Sequence, residues 1–280
     1  MQDATPSRTA LRVALRRAAH QLFDDPLVLY DPIAVPILGA AYAEEIRRTP
    51  LRPDRPYSTA MRAHVVGRSR YAEDNLRIAV EREVKQYVLL GAGLDTFAYR
   101  NPYPHLRVFE VDHPATQQWK HQLLAASGIA IPANLTYVPV DFEQQSLSKR
   151  LLASGFDPSA PAFFAWLGVV PYLTLPAFRS TVDFIAARGA GSGVVFDYGQ
   201  PREALPPREQ LGHDSLADRV RLAGEPFQLF FTPPQVAAEL SAFPLIEDLG
   251  STEVNLRYFA GRTGELRARG TAGRLLSAWI

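Results

Sequence analysis

QYVLLGAGLDTFAYRNPYPHLRVFEVD, residues 86–112, combines a strand, a glycine turn, a helix start and a second strand that closes on a carboxylate. Tyr87-Val88-Leu89-Leu90 is a short apolar run, the pattern of a strand covered on both faces. Gly91-Ala92-Gly93 lets the backbone turn sharply and approach a ligand closely. Asp95 and Thr96 stand where a helix would begin. Val108-Phe109-Glu110-Val111 is the next apolar run, and Asp112 ends it. A carboxylate about twenty residues after a glycine turn is where nucleotide-binding α/β folds hold ribose hydroxyls.

Two cofactor classes share that layout. A dinucleotide site favours G-x-G-x-x-G, in which the third glycine permits close helix–strand packing around a pyrophosphate. Thr96 takes that place here, and Asp95 would set an anion against the pyrophosphate. A cofactor carrying an amino group and a sulfonium suits these residues better, which points to S-adenosylmethionine. A nucleotide-dependent oxidoreductase is the alternative enzyme class. A non-catalytic protein that retains only a cofactor site is the alternative outside enzymes.

Composition narrows the field further. The chain has 280 residues, 47% hydrophobic and 21% charged, with net charge +1 and no cysteine. That balance fits a globular protein with a large core and makes no electrostatic case for nucleic acid or a membrane surface. Disulfides, thiolate zinc sites and cysteine nucleophiles are excluded. No metal-ligand spacing stands out. MQDATPSRTA lacks the pattern of a signal peptide, and the uncharged run Ala162 to Phe178 is interrupted by Pro171 and Pro176. The expectation is a cytoplasmic protein acting on a small molecule.

From the start of the chain, residues 1–83 are expected to be helical, with helices at Thr9–Phe23, Asp31–Leu38 and Ala60–Glu83. Residues 84–200 form a cofactor core. Its later strands are Leu135–Val140, Ala162–Val169 and Gly193–Asp197, with a helix over Leu175–Arg188. Residues 201–234 are rich in proline and charge and are assigned to a substrate cap with a helix over Gly212–Ala223. Residues 235–280 complete the sheet, with strands expected at Leu245–Gly250 and Arg257–Ala260 and a basic surface tail from Gly261. The fold class is α/β, a Rossmann-like sheet of about seven strands with helices on both faces. Asp112 could also cap the helix that starts at His113-Pro114. Tyr172 and Tyr198 follow strands at the expected active end. His213, in the cap, is a candidate base. The histidines are otherwise scattered, with no evident His–Asp pair.

LLGAGLDTFAYR, VFEVDHPATQQWK, VPVDF and AFFAWLGVVPYL, in this order, resemble the leucine carboxyl methyltransferase family. The resemblance runs roughly from His20 to Arg262. It implies a class I S-adenosylmethionine-dependent fold and O-methylation of a carboxyl group, as in the polyketide branch, or of a phenol. It further implies that Gly91, Ala92, Gly93, Asp95, Asp112 and His113 contact the cofactor, with Asp141 and Phe142 at the adenine and Trp166 near the sulfonium. An arginine of the RSRYAEDNL segment would hold the methionyl carboxylate, Arg70 in the first place and Arg68 as the competing choice. Many relatives carry a glutamate after the tryptophan; Leu167 stands there, so no acid role carries over. A carboxylate acceptor would want an arginine in the pocket, for which Arg202, Arg219 and Arg221 are the local candidates. Tyr172, Tyr198 and Arg219 are the expected substrate-facing residues.

Overall fold

The computed structural model describes residues 7–48, 56–141, 145–222, 224, 226–262 and 264–280. Its centre is a seven-stranded sheet built from β1 (Gln86–Leu90), β2 (Arg107–Asp112), β3 (Leu135–Pro139), β4 (Phe163–Trp166), β5 (Gly193–Gly199), β6 (Leu245–Leu249) and β7 (Gly273–Trp279), in the order β3-β2-β1-β4-β5-β7-β6. The first five strands are parallel, and β7 runs antiparallel to both β5 and β6. The order reverses at β1, so the adjoining crossovers leave a crevice at the carboxyl ends of β1 and β4.

Period-two alternation divides the strands between two cores. Tyr87 and Leu89 pack toward α3 (Pro56–Glu81), while Val88 and Leu90 join Phe109, Val111, Phe164 and Phe196 on the other face. Both faces are covered, which is why Tyr87 to Leu90 form an unbroken apolar run. A third cluster, with Ala14, Ala18, Ile37, Leu94 and Leu124, holds α1 (Arg8–Phe23) and α4 (Pro114–Ala126) beside the glycine turn.

Three expectations are corrected. Residues 31–38 hold only a 3-10 turn, Pro36–Leu38, and the helix proper is α2 (Gly39–Arg48). Prolines at 26, 32 and 36 oppose an earlier start, whereas Glu44 and Arg48 pair at 2.7 Å across one turn. After the glycine turn there is likewise one 3-10 turn, Phe97–Arg100, in place of a longer helix. The largest correction is at the end of the chain. Arg257–Ala260 is not a strand, because Glu253 accepts the Gly250 N–H at 2.9 Å and starts α6 (Ser251–Tyr258). The seventh strand lies inside the supposed surface tail, where Leu275 to Ala278 are buried. Gly193 lies opposite Trp279, whose ring would stand 2.5 Å from any Cβ there. In the expected cap, α5 spans Pro207–Leu222 and starts five residues before the predicted helix. No described helix is long and apolar enough to cross a membrane.

Candidate cofactor and acceptor site

A cavity of about 580 Å³ opens at the carboxyl ends of the central strands. Gly91, Ala92 and Gly93 form one wall, Asp112, His113, Val140 and Asp141 a second, and Ala165, Leu167, Gly168 and Val169 a third. The Gly91 and Ala92 N–H groups both donate to the Val111 carbonyl, at 2.8 and 3.0 Å, tying the turn to the end of β2. Gly91 has φ +68°, and a Cβ there would lie 2.3 Å from the Val169 side chain. Only glycine satisfies both the left-handed backbone and that contact.

Asp112 turns its carboxylate to this wall. Oδ2 accepts the Gly93 N–H at 2.5 Å and Oδ1 accepts the His113 N–H at 2.6 Å. A carboxylate offers about four acceptor positions, so two remain for a ligand. Burial raises its pKa, against the pull of the two N–H groups. Asp112 does not cap α4; His113 does, with Nδ1 accepting the Ala115 N–H at 3.2 Å.

The roof comes from α1. Ala10, Val13 and Arg17 recur at helical spacing along the cavity. Arg17, buried at 3% exposure, donates to Asp95 Oδ2 at 3.3 Å and to the Leu94 carbonyl, and lies 3.7 Å from Asp31. Asp31 in turn accepts the Thr96 hydroxyl at 2.5 Å and pairs with Arg100 at 3.3 Å. Asp95 therefore lines the cavity with its charge partly committed to Arg17 and its Oδ1 to the Phe97 N–H at 2.8 Å. Sequence reasoning missed Arg17 because its partners come from separate segments.

The two arginine candidates of α3 separate cleanly. Arg68 lines the cavity and is 8% exposed. Arg70 lies outside it, pairs with Asp74 at 2.9 Å and has its side chain 47% exposed. Two residues along a helix rotate the side chain by about 200°, so both cannot face the same crevice. Behind Arg68 stands Asp197, a buried carboxylate that the sequence did not mark. Its Oδ2 accepts from Arg68 Nη1 at 2.9 Å and lies 3.3 Å from His64 Nε2, while Oδ1 accepts the Gly168 N–H at 2.5 Å. Burial alone would raise its pKa; the Arg68 charge and the His64 hydrogen bond reverse this and hold it far below the usual carboxylate range. This is a His–Asp pair that the sequence did not reveal, joined across 133 positions; His20 and Asp24 form another, at 2.8 Å across one helical turn. The β4–β5 register pairs Trp166 with Phe196, so Asp197 follows directly across from Leu167, beside the position without the expected glutamate.

Other expected residues are dispersed. Asp141 and Tyr172 line the cavity, the latter with its ring 5.2 Å from that of Phe227. Phe142 lies outside the described residues. Trp166 points away, because alternation turns Ala165 and Leu167 to the cavity and stacks Trp166 on Phe178 at 5.5 Å. Tyr198 is buried and donates its hydroxyl to Asp248 at 2.7 Å. His213 packs on Phe230, 5.3 Å between rings, outside the cavity lining. Arg219 is exposed and bonds the Ser215 carbonyl at 3.0 Å. Arg202 pairs with Asp214 and Arg221 with Asp218. The segment after α5 reaches the cavity instead, through Gly224, Pro226 and Gln228.

With this geometry in hand, comparison with known proteins is informative. The sequence model of the leucine carboxyl methyltransferase family matches residues 10–186. YktD of Bacillus subtilis (strain 168), provisionally named an S-adenosyl-L-methionine-dependent methyltransferase, is 30% identical over 293 residues, covering 96% of each chain. A Saccharopolyspora erythraea protein of the same provisional description is 36% identical over 192 residues, covering 65% of this chain and 64% of that one. A provisionally named methyltransferase structure from Thermobifida fusca YX matches with TM-score 0.57 at 16% identity, over 99% of this chain and 96% of that one. That last likeness bears on the fold alone.

Proposed function

The chain belongs to the leucine carboxyl methyltransferase family and is a methyltransferase dependent on S-adenosylmethionine, and from that premise we propose that it methylates an oxygen of a small-molecule acceptor, in first place a carboxylate. The oxidoreductase alternative falls with the family membership. One observation supports the placement of the cofactor: Asp112, the glycine turn and Arg68 converge on a single crevice of about 580 Å³ at the strand ends. That volume suits a ligand of this size.

In this reading Asp112 takes the ribose hydroxyls with its two spare acceptor positions. Asp141 lies toward the adenine, and Arg68 holds the methionyl carboxylate through its guanidinium fork. The α1 stripe of Ala10 and Val13 keeps water out. When bound, S-adenosylmethionine supplies an electrophilic methyl group. The protein's part is to hold the acceptor oxygen in line with that methyl and to exclude solvent.

The family's name favours a carboxylate acceptor, which is already ionised at pH 7 and needs no base. A phenol, with an ordinary pKa of about 10, would need one. The measurement is transfer of labelled methyl from S-adenosylmethionine to panels of carboxylic acids and phenols, followed by mild alkali. Methyl esters release the label as methanol; aryl ethers retain it. Alkali-labile product on a small acid supports the first reading, and alkali-stable product supports the phenol. Label transferred to protein or to nitrogen compounds alone would overturn both.

A further inference from the structure

Asp197 has no part in the cofactor contacts proposed so far, yet it is tied through three residues to two other segments. Arg68 and His64 reach it from successive turns of α3, and Gly168 reaches it from the end of β4. Among the described residues, Asp197 is the one protein group that fixes the Arg68 guanidinium. The Gly168 backbone is shaped to the same guanidinium. Gly168 has φ +72°, and a Cβ there would lie 2.7 Å from Arg68 Nη2 and 2.9 Å from Nη1. A glycine that leaves room for the guanidinium and a carboxylate that accepts from its Nη1 have one common object.

We propose that Asp197 is a positioning residue that aims Arg68 at the cofactor's methionyl carboxylate, with His64 and the Gly168 N–H holding Asp197 itself in place. The inference rests on the reading that Arg68 binds that carboxylate. Two effects of Asp197 oppose each other. Its negative charge subtracts from the field that Arg68 offers an anion, and its hydrogen bond fixes where the guanidinium stands. Placement is the larger effect here, because a flexible arginine with one anchor loses its two-pronged geometry when the anchor goes. His64 limits the subtraction by sharing the same carboxylate oxygen, Oδ2.

The test compares two ligands by isothermal titration. One is S-adenosylhomocysteine; the other is its decarboxylated analogue, which keeps the adenosine, thioether and amine. The wild-type protein is expected to prefer the carboxylate-bearing ligand by about tenfold or more, the span of a charge-assisted hydrogen bond. In Asp197→Ala that preference should fall to near one, with binding of the decarboxylated ligand little changed. Asp197→Asn keeps the shape and an acceptor for the Gly168 N–H but turns its amide NH2, which cannot accept, toward Arg68 Nη1, so the preference should fall here too, by about threefold or more. This isosteric variant decides the matter alone if the alanine form does not fold. A purely structural role for Asp197 would weaken both ligands equally and leave the ratio at the wild-type value, which overturns the inference while the cofactor reading stands. If the folded wild type binds neither ligand, the cofactor reading fails first and the inference with it.

Discussion

Asp112 at the end of β2 and Asp197 near the end of β5 stand at the same edge of the sheet, one in each half, and are held in opposite ways. Among the described residues, Asp112 accepts hydrogen bonds from two backbone N–H groups, of Gly93 and His113, and burial raises its pKa. Asp197 is met by an arginine and a histidine from a distant helix, which hold its pKa down. The first keeps acceptor capacity for a ligand; the second has spent its capacity on the protein. A buried carboxylate that lacks a cation is therefore the better candidate for touching the cofactor, and one with a cation is the better candidate for aiming something else. Glu110, two residues before Asp112, shows that the rule needs the cavity as well. It is buried, paired with Lys120 at 2.6 Å, and remote from the lining.

Glu110 gives the largest way to probe this contrast. Burial pushes its pKa up to about 7 despite Lys120. Because that lies above the unfolded value of about 4.3, its contribution to stability is full below about pH 4 and is lost as pH rises through about 7. Lys120→Met removes the partner and should destabilise the fold by about 3 kcal/mol at pH 8. The loss should be smaller at pH 5, where Glu110 takes up a proton; urea denaturation at the two pH values measures it. An equal loss at both would mean that Glu110 stays ionised without its lysine.

Asp197 should behave with the opposite sign. Its folded pKa is depressed, so its contribution is present above the unfolded value of about 4 and is lost as pH falls below it. Asp197→Asn should cost about 2 kcal/mol at pH 7 and flatten the wild-type decline in melting temperature below about pH 4. A third test addresses which arginine matters. Arg68→Ala should weaken S-adenosylhomocysteine by about tenfold, while Arg70→Ala should stay within about twofold of wild type. Equal effects would break the assignment to Arg68. The smallest effect is expected at Tyr198→Phe, which loses one hydrogen bond to Asp248. It should cost about 1 kcal/mol of stability and leave kcat/KM unchanged, since the hydroxyl faces away from the cavity.

The same contrast accounts for what the sequence disclosed. The β1–β2 half of the site is contiguous, so the glycine turn and Asp112 announce themselves at fixed spacing. The β5 half is assembled from contacts between distant residues. Asp197 acquires its meaning only when α3 lies beside β5, and no local pattern links His64 to it. Arg68 and Arg70 lie on opposite sides of a helical wheel, and the sequence does not say which side meets the crevice until a neighbour fixes the rotation. The final strand was hidden for another reason. Arg267, Arg269 and Arg274 give its approach a surface composition, although LLSAWI itself is a nearly continuous apolar run, as a strand covered on both faces would be. Arg257–Ala260 carried the apolar signal instead, and a capping glutamate at 253 outweighed it.

The central claim is that the crevice at the strand ends binds S-adenosylmethionine with Asp112 at its ribose. Isothermal titration of S-adenosylhomocysteine into the wild type and into Asp112→Ala tests it most directly. The account predicts binding at about micromolar Kd in the wild type, weakened roughly 100-fold in the variant, with both proteins unfolding cooperatively. A folded wild type that binds nothing at millimolar ligand, or a folded variant that binds as tightly as the wild type, would contradict it.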